Sequence, residues 1–332
     1  MPTMTAKSKS SLSVLLMTLV LTLCGWSQVS SRLLVLNKKE NTLAIVDPRS
    51  LKVIGRIPTG EGPHEVTASD DGKYAFVANY GDREPGSTIS VIDLIGQREL
   101  RRVSLGPLRR PHGIVFAQGE VYFTAEVNKV IGRYSPTDDK VDWLVGTGQD
   151  DTHMLVMSKS QEIFTANIGS DSVSAIRQSA NQRDWTEVVI PVGQGPEGID
   201  ISPDGTEVWT AQSRDGDVSI INVANHKVSE TLRLNTKRSN RLKFSPDNKL
   251  VLVSDLEAGE LVVMDVHTRK ETKRIKLGRM PEGILMVPDG SKAYVAVWGD
   301  DEVAVVDLSS LAVIDRIRTG LGPDGMAWAI NK

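Results

Sequence analysis

One short motif recurs seven times along this 332-residue chain and constrains its architecture more than any other feature. Its clearest copy is Gly193-Gln194-Gly195-Pro196-Glu197-Gly198-Ile199: a glycine-rich turn, a proline, a polar residue, a small residue and an aliphatic strand start. The other copies are centred on Pro63-His64, Pro111-His112, Thr152-His153, Ser239-Asn240, Pro281-Glu282 and Pro323-Asp324. The proline position falls at 63, 111, 152, 196, 239, 281 and 323, in steps of 48, 41, 44, 43, 42 and 42 residues. A fixed period in the low forties marks a blade-type repeat.

Between motifs, apolar and polar residues alternate in short runs bounded by Gly, Asp and Asn, the signal of β-strands joined by tight turns. Second strands align as Phe76-Val77-Ala78-Asn79, Phe123-Thr124-Ala125-Glu126, Phe164-Thr165-Ala166-Asn167, Trp209-Thr210-Ala211-Gln212, Leu252-Val253-Ser254-Asp255 and Tyr294-Val295-Ala296-Val297. The chain opens with three strands and no motif before them, and it ends on a lone first strand at 323–332. These fragments complete one another. The reading is an all-β, seven-bladed β-propeller with four antiparallel strands per blade, closed by pairing the C-terminal strand with the N-terminal three. Closure removes exposed strand edges. A single domain is expected over 32–332, with blades at 32–58 plus 323–332, 62–106, 110–147, 151–193, 195–236, 239–278 and 281–320. Aromatic residues make up 5% of the chain and glycine numbers 28, a composition that fits short strands better than a helical bundle.

The N-terminus reads separately. Lys7 and Lys9 precede an apolar run from Leu12 to Cys24, followed by small polar residues, which is the pattern of a secretory signal peptide over 1–27. The expectation is a periplasmic or secreted protein with no transmembrane segment in the mature chain. Cys24 is the sole cysteine, and the bulky Leu23 before it disfavours a lipid anchor there. Loss of 1–27 removes two lysines and no acid, moving the formal charge from −3 to −5. No nucleic-acid partner is expected of so acidic a chain. It is also expected to be a monomer.

The tetrads quoted above, especially Phe76-Val77-Ala78-Asn79 and Tyr294-Val295-Ala296-Val297, resemble the Tyr-Val-Thr-Asn (YVTN) β-propeller repeat family, with its YncE-like and lactonase-like members. Pro196-Glu197-Gly198-Ile199 and Ser202-Pro203-Asp204-Gly205 carry the same resemblance, which covers about 32–332. It implies a propeller. In function it points to periplasmic and surface-layer proteins, propeller lactonases, dehydrogenase heavy chains or a lyase, and no catalytic motif of those enzymes maps onto single residues here.

The first strand of a propeller blade lines the axis, so the residue after each proline should face a central funnel. That ring is His64, His112, His153, Glu197, Asn240, Glu282 and Asp324. A second ring is expected from the ends of the second strands, including Asn79, Glu126 and Asn167. A funnel so lined suits a small polar ligand. Three of the five histidines occupy equivalent positions on consecutive blades, with Glu197 on the next. Imidazole and carboxylate together suit a divalent metal, with His112 and His153 as ligands and His64 or Glu197 as the third. Glu126 or Glu282 would then serve as general base. A metal-free ligand pocket and a water-filled structural channel remain open readings. In blade six Asn240-Arg241 replaces the usual acidic-Gly pair; Arg241, Lys237, Arg238, Arg109 and Arg110 are expected as cations at the rim, and Trp298 as a stacking residue on the same face. The leading function is an exported propeller binding a small polar ligand or metal. The alternatives are a metal-assisted, lactonase-like hydrolase or lyase, and a scaffold for protein partners. The Gly-x-Ser-x-Gly, His-Glu-x-x-His and phosphate-loop signatures do not occur.

Overall fold

A computed structural model of the chain describes residues 1–3, 30–181 and 184–331. Most of the expected signal segment, Cys24 and Lys332 lie outside them. Among the described residues, 28 strands form seven four-stranded antiparallel sheets. Blade 1 joins the C-terminal strand Pro323–Asn331 to Ser30–Asn37, Thr42–Asp47 and Lys52–Pro58. Blades 2 to 7 follow in order, with innermost strands Pro63–Ala68, Pro111–Ala117, Thr152–Met157, Pro196–Ile201, Ser239–Phe244 and Pro281–Met286. The architecture is the closed seven-bladed propeller that the repeat implies. Among the described residues no helix is long and apolar enough to cross a membrane.

Packing follows the alternation of each strand. The middle strands are buried on both faces, so their apolar residues interleave with those of the next blade. Trp209, fully buried, meets Phe244 of the next blade edge-on at 5.3 Å between ring centres. Trp143 and Trp185 lie against each other at 4.6 Å, joining blades 3 and 4. Outermost strands alternate charged and half-buried residues, with ion pairs such as Arg102–Glu99 at 2.8 Å and Arg133–Asp142 at 2.9 Å. Such charge blunts an exposed edge.

The register breaks at the same place in every blade. Pairing between the innermost and second strands slips just past the proline position, between Pro63 and Glu65, Pro111 and Ile114, and at the corresponding points of the other five blades. A bulge leaves its extra residue out of the ladder and re-aims its side chain. The residue after each proline is that extra residue.

Two features hold these bulges at the axis. Thr124 Oγ1 accepts from Gly113 N at 2.9 Å and donates to His153 O at 2.6 Å, pinning blade 3 to blade 4. Ser254 repeats the device between Arg241 N and Glu282 O. The backbones also approach closely: a Cβ on Gly283 would meet Asp324 O at 2.3 Å, and one on Gly325 would meet His64 O at 2.3 Å. That is why glycine follows the ring residue in blades 7 and 1.

Candidate metal centre at the mouth of the central funnel

The turn entering each bulge positions the mouth. The residue before the proline position has φ between 51° and 65° in six blades: Gly62, Arg110, Asp151, Gly195, Met280 and Gly322. In all seven blades the carbonyl before the proline position accepts the N–H of the residue one past the second-strand partner of that position. The bonds run from Lys38 to Gly322 at 2.8 Å, Tyr80 to Gly62 at 3.0 Å, Glu126 to Arg110 at 3.2 Å, Ile168 to Asp151 at 3.0 Å, Ser213 to Gly195 at 2.7 Å, Leu256 to Arg238 at 2.8 Å and Trp298 to Met280 at 3.0 Å. Lys38, Tyr80, Glu126, Ile168, Ser213, Leu256 and Trp298 are therefore structurally equivalent, one per blade. They form the second ring of the mouth.

This corrects the expected second ring by one residue. Asn37, Asn79, Ala125, Asn167, Gln212, Asp255 and Val297 pair directly with the proline position. They point back into their blades, because a one-residue step along a strand reverses the face. Asn79 donates to Thr88 and Ser90 at 3.0 Å, and Asn167 to Ser172 at 3.2 Å and Ser174 at 3.0 Å. Both are fully buried and do not line the funnel. Glu126 does reach it, because Ala125 rather than Glu126 is the equivalent of Asn79.

The funnel is a chamber of about 690 Å³ lined by residues of both rings, among them Lys38, His64, Tyr80, His112, Glu126, His153 and Glu197. The three histidines of blades 2, 3 and 4 stack along one arc. His64 and His112 lie 4.5 Å apart between ring centres, and His112 and His153 lie 3.7 Å apart. His153 Nδ1 faces Glu126 Oε1, and the Tyr80 hydroxyl donates to Glu126 Oε2 at 2.7 Å. Arg110 lies over the Tyr80 ring at 4.5 Å. One donor atom each from His112, Glu126 and His153 fall within 4.8 Å of one another, and all three residues are buried.

The electrostatics single out His112. It is completely buried, and neither ring nitrogen has a hydrogen-bond partner among the described residues; His153 Nε2 also has none. Burial, then the neighbouring His153 and His64, push the His112 pKa well below the usual imidazole range. Burial raises the pKa of Glu126, but the His153 and Tyr80 contacts outweigh it and hold the carboxylate below its ordinary value. Burial and the Glu126 charge push Tyr80 up, so its hydroxyl keeps its proton.

The rest of the first ring is engaged elsewhere. His64 Nδ1 lies 2.9 Å from Asp324 Oδ2, and Lys38 Nζ contacts its Nε2. Burial dominates in lowering the His64 pKa, so the ring is neutral. Glu197 accepts from Asn240 Nδ2 at 2.6 Å. Thus neither His64 nor Glu197 is the third member of the cluster; Glu126, expected as a base, takes that place. Glu282 lies on the opposite arc with Asp324. Arg241 is not a rim cation. It is 5% exposed and reaches from blade 6 across the axis to Glu65 of blade 2, at 2.8 Å from its terminal nitrogen. Burial opposes its charge, but Glu65, Asp324, Glu197 and Glu282 keep its pKa above the ordinary value. Trp298 is half-buried at the mouth, with the Lys39 ammonium 3.6 Å from its ring centre. Sequence reasoning missed Lys38 and Tyr80, which follow aligned asparagines and became visible only once the pairing register was known.

The model of the YncE-like β-propeller family matches residues 11–193 and 179–331, and the chain belongs to that family. Antigen Lp49 of Leptospira interrogans is 25% identical over 130 residues, a match spanning 37% of this chain and only 28% of the antigen. Among solved structures, a proposed 6-phosphogluconolactonase from Bacteroides uniformis aligns with a TM-score of 0.75 at 14% identity, covering 90% of this chain and 99% of that one. Hydrazine synthase from Kuenenia stuttgartiensis aligns at 0.68 and 19% identity, covering 80% and 89%. Apo AztD from Citrobacter koseri aligns at 0.69 and 11% identity, covering 91% and 98%. At these identities the likeness is one of fold.

Proposed function

We propose that this YncE-like propeller is an exported metal-binding protein that holds a divalent transition metal, zinc by donor chemistry, on His112, His153 and Glu126. The observation that carries the reading is His112, buried with both ring nitrogens unpartnered beside the unpartnered Nε2 of His153. A buried polar atom without a partner costs about 1–3 kcal/mol. A proton does not relieve that cost, because burial and two neighbouring imidazoles disfavour the charged ring. A metal ion does. Neutral imidazole is its ligand form, and Glu126 supplies negative charge beside it. Metal bonds of about 2.0–2.2 Å require donors roughly 3.5 Å apart; donors already within 4.8 Å reach that by small side-chain shifts. Tyr80, by holding Glu126 Oε2, fixes the carboxylate in the way outer hydrogen bonds orient metal ligands.

Three protein donors beside a chamber of about 690 Å³ leave room for a further ligand on the metal. This supports a second reading, metal-assisted hydrolysis or lyase chemistry, since a metal with an open position activates water or polarises a carbonyl. The test is a zinc titration of the full chain against a competing chelator. One zinc per chain is expected, and the double variant His112→Ala, His153→Ala should lose at least about a thousandfold in affinity while keeping the metal-free melting curve. Substoichiometric zinc, or a double variant that binds like the parent, sinks the proposal.

A further inference from the structure

The second ring divides the mouth chemically. Blades 6 and 7 place Leu256 and Trp298 where blades 2 and 3 place Tyr80 and Glu126. Beside the funnel, these two residues and Met280 line a second hollow of about 770 Å³. The funnel and this hollow share Arg238 and Glu257 in their walls, both exposed.

Two cations on the funnel wall, Arg238 and Lys38, form no direct ion pair among the described residues. Arg238 engages Asp255 through its backbone N–H at 3.1 Å, and its guanidinium makes no hydrogen bond or ion pair among the described residues. Lys38 contacts His64 Nε2 and forms no direct ion pair with a carboxylate among them. By contrast, Arg279 is tied to Asp300 at 2.7 Å, and Lys39 to Asp301 at 3.6 Å. Met280 adds an independent sign. At φ 55° it occupies a left-handed position that Gly62, Gly195 and Gly322 fill without strain in other blades. A side chain there costs about 1–2 kcal/mol, and Met280 lines the hollow.

We infer that funnel and hollow form one site for a small amphipathic organic monoanion. Its anionic head sits over the His112–Glu126–His153 centre against Lys38 and Arg238, and its apolar body lies along Leu256, Met280 and Trp298. Glu257, on the same shared wall, opposes a second negative charge. The inference rests on the metal reading for the position of the head and on the cations and apolar wall for the rest.

The experiment is calorimetric titration of the zinc-loaded full chain with 3-phenylpropionate, acetate and 3-phenylpropan-1-ol, with zinc content measured in each sample. We expect 3-phenylpropionate to bind about tenfold or more tighter than either of the others, a difference of about 1.4 kcal/mol. Trp298→Ala should reduce it to the level of acetate, and Arg238→Gln to that of the alcohol, with melting curves confirming that both variants fold. Equal binding of the three probes, or variants without effect, overturns the inference. The same titrations on metal-free chain separate the two readings. If zinc does not bind but the preference and both variant effects persist, the metal reading falls and this one stands.

Discussion

Glu282 shows how a single side chain reports the electrostatics of the axis. Burial and the adjacent Asp324 carboxylate push its pKa up to about 9 from an ordinary 4.5. Asp324 moves the other way: burial opposes its charge, but His64, Arg241 and Lys38 hold it below the carboxylate range. The pair therefore carries one proton, on Glu282, at neutral pH. The sign of the consequence is fixed by linkage. Between about pH 4.5 and 9 the unfolded chain has lost the Glu282 proton and the folded chain retains it, so folding takes up a proton and stability falls as pH rises. Asp324 contributes in the opposite sense, with stability present above pH 3.8 and lost below it, outside that window. Glu282→Gln carries a permanently neutral group, so its thermal midpoint should fall less steeply across the window than the parent's. Identical slopes would remove Glu282 as the responsible group.

At the scale of the element, the unit of design is the turn–bulge pair that opens each blade. The left-handed residue delivers a carbonyl to the second ring, and the bulge turns the next-but-one residue to the axis. Blades 3, 4 and 7 carry Arg110, Asp151 and Met280 at the left-handed position instead of glycine. Arg110 covers Tyr80, Asp151 lines the funnel and Met280 lines the hollow beside it. These blades thus accept strain to furnish the mouth, the usual opposition of stability and function. Met280→Gly should leave the denaturation midpoint unchanged or raise stability by up to about 1 kcal/mol, while weakening 3-phenylpropionate binding. Destabilisation by more than 1 kcal/mol would mean that Met280 is a packing residue.

The same elements explain what the sequence could disclose. The seven-fold period and the residue after each proline were legible because the turn residues announce themselves, and the bulge recurs wherever they do. The second ring was not. Phe123-Thr124-Ala125-Glu126 imitates Phe76-Val77-Ala78-Asn79 in composition, yet Phe123 pairs with Ile114 as Val77 pairs with Val66. The aligned strands are thus one residue out of step, and a slip of one exchanges the two faces. Glu126 entered the correct ring by that accident, and Tyr80 and Lys38 were hidden behind asparagines. The partnership of Arg241 with Glu65 was equally hidden, since 176 residues separate them and only ring closure sets them face to face.

At the scale of the molecule, that partnership decides how the axis is divided. Arg241 and Glu65 occupy the position that glycine fills in blades 1, 3, 5 and 7, one residue past the first ring, so their side chains project across the channel. Below them lies a separate cavity of about 400 Å³, walled by Val66, Ile114, Leu155, Ile284 and Trp328 among others, with Arg241 and Glu65 at its boundary. The pair is thus both a strut between blades 2 and 6 and a partition beneath the funnel. Its energetics follow from burial. Removing one member of a buried ion pair typically costs about 3–5 kcal/mol, because it strands the other charge. Arg241→Met should reach that range, since it deprives the Asp324 and Glu197 carboxylates of a cation as well as Glu65. Adding Glu65→Leu should then recover only part of the loss, because those carboxylates remain. Urea unfolding of both variants measures this. Full recovery in the double variant would reduce Arg241 to a partner of Glu65 alone, and a loss below about 1 kcal/mol in the single variant would mean that the bridge does not bear on the closure of the ring.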